Sequence, residues 1–145
     1  MLHDLSDLLP HRAPMLLLSG LEAFSEAGAR ATAELREGNP FLLPDGRLER
    51  AAYAELMAQC FAAGAGALAR RTEEPAAAFG YLAGLRDIVV HGDARLGETL
   101  AVSVCIVAAL GAVTVLEGEV RRADTLLATG QLKIFIPEKR AAADV

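Results

Sequence analysis

The chain has 145 residues, 53% of them hydrophobic and 23% charged. That composition suits one domain with a single core and excludes a disordered chain. Its 14 basic and 19 acidic residues leave a net charge of −5, which argues against a general nucleic-acid binder while leaving room for a local basic patch.

From the N-terminus, "MLHDLSDLLPHRAPMLLLSG" carries acids early and lacks a basic leader, unlike a secretory signal. Its first part reads as a short helix from about Ser6, stopped by Pro10. "MLLLSGLEAFSE" and "ARATAELRE" follow as two strands around the turn Ser25-Glu26-Ala27-Gly28. In the second, Ala29, Ala31, Ala33 and Leu35 alternate with Arg30, Thr32, Glu34 and Arg36, the period of a half-buried strand. "GNPFLLPDGR" is a loop, punctuated by Gly38, Pro40, Pro44 and Gly46.

The spacing then predicts a helix from about Leu48 to Arg71. Most of it is "AAYAELMAQCFAAGAGALA", apolar nearly all round, with Glu55 and Gln59 as its strongly polar members. As a membrane span it would place an ionisable group in lipid, at a cost of at least ~2.5 kcal/mol. Glu49, Arg50, Arg70 and Arg71 also crowd its two ends. A helix this apolar belongs in a protein core. Gly64 and Gly66 cost about 1 kcal/mol each in a helix interior, which points to close packing against a sheet or another helix.

Four strand-like runs come next: "AAFGYLAGLRDIVV", "TLAVSVCIVAAL", "AVTVLEGEVRRA" and "LLATGQLKIFI". After them, residues 138–145 are expected to fray as a polar tail. Residues 1–145 thus form a single α+β domain, with an antiparallel sheet wrapped around a long central helix. Cys60 and Cys105 lie in apolar runs with no CxxC or Cys/His spacing. They read as small hydrophobes of a reduced, cytoplasmic protein without a structural metal.

Three stretches carry a family resemblance. "LLPHRAPMLLLSGL" resembles the N-terminal segment of hot-dog-fold 3-hydroxyacyl-acyl-carrier-protein dehydratases. "AELMAQCFA" resembles the "EAMAQ" signature of their central helix, and "LRDIVVHGDARLGETLAV" is similar to a later strand and turn of the family. The match runs from the N-terminus to about Val102, and is nearest in pattern to the ApeP-like branch of aryl-polyene gene clusters. It implies a hot-dog fold and a homo- or heterodimer acting on an acyl thioester of carrier protein or coenzyme A, in fatty-acid- or polyene-type biosynthesis. It implies neither cofactor nor metal.

Eliminating water from such a thioester needs a base for the C2 proton and an acid for the departing 3-hydroxyl. It also needs donors for the thioester oxygen. In the family a loop histidine is the base and a carboxylic acid on the central helix is the acid. Backbone N–H groups at that helix N-terminus polarise the carbonyl, and histidine and acid come from different chains.

Glu55 matches the helix acid through "ELMAQ", against the plainer reading of a structural acid paired with an arginine. Gln59, four residues on, shares its face and can bond Glu55 or substrate. At the position of the loop histidine this chain has Phe41, preceded by Asn39 and Pro40, and a phenylalanine cannot take a proton. Gly46 is the nearest stand-in for the family's glycine at the helix start. Phe41, Asn39 and Gly46 are therefore expected beside substrate, with the base supplied elsewhere. His91, in the turn near the expected tunnel mouth, is the candidate for a relocated base, against a solvated turn residue. His11 reads as structural, beside Arg12.

Three functions stay open. The chain is a dehydratase half-site completed by a partner's histidine, a thioesterase in which Glu55 activates water, or a non-catalytic subunit that binds acyl chains or stabilises a sibling. An acidic carrier protein would need a basic landing area, with Arg47, Arg50, Arg70, Arg71, Arg86, Arg95 and Lys133 available.

Overall fold

The computed structural model describes residues 4–72 and 81–137; the polar tail and the beginning of the first of the four later strand runs lie outside them. Asp4 starts a one-turn helix, α1 (Leu5–Leu8), by accepting the Ser6 N–H through its side chain. Strands β1 (Gly20–Ser25) and β2 (Gly28–Glu34) form a hairpin ahead of the long helix α2 (Ala51–Arg71). Then come β3 (Tyr81–Val90), β4 (Thr99–Leu110), β5 (Val113–Arg122) and β6 (Thr125–Phe135). The six strands form one sheet in the order β1-β2-β4-β5-β6-β3, antiparallel at every pairing.

Two boundaries differ from the sequence pattern, each for a tertiary reason. The stretch before Gly20 does not join the sheet as a regular strand, because the N–H of Leu17 is taken by a side chain of α2. The helix starts at Ala51 rather than Leu48, because Leu48 is extended, paired with Leu42 in an antiparallel bridge and bonded through its N–H to the Ala94 carbonyl at 2.8 Å.

The inner face of the sheet closes on α2. Leu100, Val102 and Val104 of β4 and Leu116 and Val120 of β5 are buried. They pack in one core cluster with Ala52, Tyr53, Leu56, Met57, Cys60, Ala63 and Ala67 of the helix. Close approach explains the helix glycines. A Cβ on Gly64 would lie 2.5 Å from Cβ of Ala29 in β2, and one on Gly66 would lie 2.8 Å from the Leu8 carbonyl of α1. Sheet and short helix thus press on two sides of the same helical segment.

At one margin of the sheet, β3 has β6 as its only strand neighbour among the described residues. It bares Tyr81, Leu82, Leu85 and Val89, between 44% and 58% exposed. Among the described residues, no helix is long and apolar enough to cross a membrane.

Candidate active site

Gln59 organises the site. It is completely buried, so its amide must find its partners within the protein. Its Oε1 accepts the Leu17 N–H at 2.9 Å, while its Nε2 donates to the Met15 carbonyl at 2.8 Å and to Glu55 Oε1 at 2.9 Å. Both N–H bonds and one lone pair are thereby used, which fixes the orientation of the amide. The segment 15–17, drawn onto the helix in this way, carries the preceding turn with it. Arg12 clamps that turn by donating from Nη1 to the carbonyls of Leu9 and His11, both at 2.8 Å.

The clamp brings His11 to Glu55: Nε2 of the imidazole stands 3.3 Å from Glu55 Oε1, with the two side chains 29% and 28% exposed. Among the described residues, then, the ion-pair partner of Glu55 is a histidine rather than an arginine. Nδ1 of His11 is buried and has no hydrogen-bond partner among the described residues. From sequence alone, His11 reads as structural. The usable signal was the buried glutamine one turn after Glu55, which had to bond some passing backbone.

His91 lies elsewhere. It is exposed just beyond β3, and its N–H bonds the Leu127 carbonyl at 2.7 Å. The neighbouring loop is pinned by Tyr53, whose hydroxyl donates to the Gly92 carbonyl at 3.2 Å and accepts the Ala94 N–H at 2.8 Å. Tyr53 and Glu55 are two residues apart, about 200° around an α-helix, so the loop that follows His91 meets α2 on the side away from Glu55. Tyr53 escaped the sequence reading, and its burial raises the phenol pKa.

The loop ahead of α2 is largely self-bonded. Asn39 Oδ1 accepts the Phe41 N–H at 2.8 Å, and the half-buried Phe41 takes the Glu49 N–H on its carbonyl at 2.8 Å. Gly46, at φ +88°, makes a tight turn whose carbonyl accepts the Leu96 N–H at 2.8 Å. None of the three is hydrogen-bonded to Glu55, Gln59 or His11.

The basic residues fall in separate places. Arg47 and Arg50 reach Asp93 at 3.8 and 4.0 Å, and Arg95 bridges to Arg47 through the backbone. Arg122 joins them by donating from Nη1 to the Asp93 carbonyl, and to Glu98, both at 3.1 Å. Arg70, with Asp7, and Arg71, over the Phe24 ring, lie at the far end of α2, while Arg86 and Lys133 are on β3 and β6. No group of three metal-ligating side chains occurs among the described residues. A surface trough of about 770 Å³ crosses β2, β4, β5 and β6 past Gly28, Ser103, Gly118 and Gly130, and one of about 670 Å³ lies between segment 13–19 and loop 34–39; Glu55 lines neither.

A long helix wrapped by six antiparallel strands defines a hot-dog domain. The chain belongs to the ApeP-like family, whose model, described as ApeP dehydratase, matches residues 3–144. A chain of the dehydratase heterocomplex ApeI:P from Xenorhabdus doucetiae is 28% identical and superposes with a TM-score of 0.84 over 92% of this chain and 90% of that one. A hypothetical thioesterase from Streptococcus pneumoniae, solved with coenzyme A, is 13% identical with a TM-score of 0.63 over 80% and 83% of the two chains. A probable thioesterase from Bartonella henselae is 18% identical with a TM-score of 0.59 over 76% and 90%. These last two share the fold alone. No curated protein matches the sequence.

Proposed function

We propose that this chain supplies Glu55 to a 3-hydroxyacyl-thioester dehydratase site completed by the histidine of another hot-dog subunit. The observation that supports it is an anchored carboxyl in a dehydratase-family domain: Oε1 is held by Gln59, and the group lines neither of the troughs of the lone chain. In this reading the partner's histidine takes the C2 proton of the acyl chain. The C2–H electrons form the double bond to C3, and the hydroxyl leaves as water with the proton of Glu55. N–H groups at the start of α2 stabilise the negative charge gathering on the thioester oxygen. Phe41, Asn39 and Gly46 shape the acyl passage in front of that helix end, and Gln59 holds the acid.

The partner is assigned to the open side of β3. A free strand edge offers unpaired N–H and C=O groups, and its bared apolar side chains favour burial against another chain. That the similar Xenorhabdus doucetiae chain comes from a dehydratase heterocomplex supports a second hot-dog protein as the occupant. The substrate is an acyl chain on a carrier protein or coenzyme A, of fatty-acid or polyene type, and no cofactor takes part.

Mass spectrometry of a 3-hydroxyacyl carrier protein incubated with this chain, with the partner, and with both is the direct test. The expected result is loss of one water by the mixture and little by this chain alone. Dehydration that survives Glu55→Gln in the mixture leaves this chain a non-catalytic, stabilising or acyl-binding subunit. Release of free acid instead identifies a thioesterase, in which Glu55 activates water. Full activity of the lone chain would return attention to His91 as the base.

A further inference from the structure

We propose that His11 is the positioning residue of Glu55, holding Oε1 through an Nε2–H tautomer so that Oε2 is the oxygen that handles the proton. Its catalytic consequence rests on the dehydratase reading; its geometry does not.

Three observations converge. Gln59 cannot present its oxygen to Glu55, because that oxygen already accepts the Leu17 N–H. The amide therefore donates to Glu55 Oε1, and Oε1 is an acceptor there. His11 Nε2 approaches the same oxygen at 3.3 Å, and the contact is favourable when this nitrogen carries the hydrogen. Nδ1 is buried without a partner. A hydrogen on Nδ1 would be a buried donor with nothing to accept it, a penalty of about 1–3 kcal/mol, whereas a bare lone pair there is far better tolerated. One tautomer answers both ends of the ring.

The carboxyl is consequently held from two sides at one oxygen, by the helix through Gln59 and by the N-terminal turn through His11. The opposite oxygen, Oε2, has no hydrogen-bond partner among the described residues and is the one left to face a leaving hydroxyl. The committed Nε2 and enclosed Nδ1 also keep His11 from taking the C2 proton itself. His11 acts through Glu55. Arg12, by fixing the carbonyls of Leu9 and His11, sets where the ring stands.

In the complex with the hot-dog partner, His11→Ala is expected to lower kcat by roughly 10²-fold, the cost of misplacing a reacting group by about an ångström, with KM little changed. His11→Gln, whose amide offers an N–H near the Nε2 position, is expected to recover most of that loss. Equal loss in both variants would make the imidazole itself a proton acceptor, and unchanged kcat in both would make the turn purely structural; either overturns the proposal. Ring-nitrogen NMR of the ¹⁵N-histidine-labelled chain is independent of turnover. It is expected to show His11 protonated at Nε2 and bare at Nδ1, with the signal displaced in Glu55→Gln. The reverse tautomer, or no displacement, refutes the assignment even in a chain without activity. Absence of Glu55-dependent dehydration, with the tautomer as described, refutes the reading of function alone.

Discussion

Glu55 Oε1 accepts from Gln59 Nε2 and stands 3.3 Å from His11 Nε2, so substitution of Glu55 separates shape from chemistry. Glu55→Gln keeps the volume and loses the transferable proton, and is expected to cost ~10²–10⁴-fold in dehydration by the complex. Glu55→Asp keeps the acid, shortens its reach, and is expected to retain part of the rate; a single set of turnover assays on both variants checks this. Gln59→Leu is a folding lesion instead. It strands the buried Leu17 N–H, a loss of about 1–3 kcal/mol, and releases the part-buried Met15 carbonyl, which thermal melting would register. Cys60 and Cys105 should also part company: the first is buried, the second exposed. A thiol reagent is expected to label one cysteine in the native chain and two after denaturation. Burial pushes the Cys60 thiol from an ordinary 9.0 up to about 12. The unfolded chain therefore releases that proton first as pH rises, and the folded state loses stability from about pH 9 until about pH 12. A melting series over that window should slope downward, and more gently in Cys60→Ala.

At the scale of elements, the glycine contacts of α2 set helix propensity against space. Gly64→Ala gains about 1 kcal/mol of propensity, yet its Cβ would stand 2.5 Å from that of Ala29, and overpacking typically costs ~1–3 kcal/mol. We expect net destabilisation in denaturant titrations, relieved by adding Ala29→Gly. These contacts also show which elements were legible in the sequence. The strand of Thr99–Leu110 and the body of α2 follow from period and length alone. The loss of regular strand before Gly20 and the late start of α2 do not, because each depends on a partner remote in sequence, Gln59 for one and Ala94 for the other. The site divides in the same way. Glu55 and Gln59 share one helical face and could be paired from spacing. His11 is 44 residues from Glu55 in the chain, and only the path of the segment 15–17 brings it near. His91, attractive for its place in a turn, belongs to a loop that Tyr53 ties to the side of the helix away from Glu55.

For the molecule as a whole, the proposed assembly along β3 makes a geometric claim. A lysine at Val89 or Leu85, both bared on that strand, would put a charge into the joint and is expected to abolish co-purification with the hot-dog partner. The same change should leave the far-ultraviolet circular dichroism of the lone chain intact. Light scattering should find dimers in the mixture and lose them in either variant; a wild-type mixture that stays monomeric at micromolar concentration places the site within one chain. Glu55 then has to find its base without help, and the activity expected of the mixture disappears with the contact.

The exposed margin of β3 also bears on what happens before assembly. A strand that presents Tyr81, Leu82, Leu85 and Val89 with one side unpaired among the described residues offers itself to any extended segment, the same strand of another copy included. The outcome is decided by supply. Under the proposed assembly, a partner subunit made in equal amount is expected to cover the strand first, whereas excess of this chain is expected to self-associate into aggregates. On the proposed assembly, the yield of this protein is expected to follow the ratio at which two polypeptides are produced, a quantity written in no single residue.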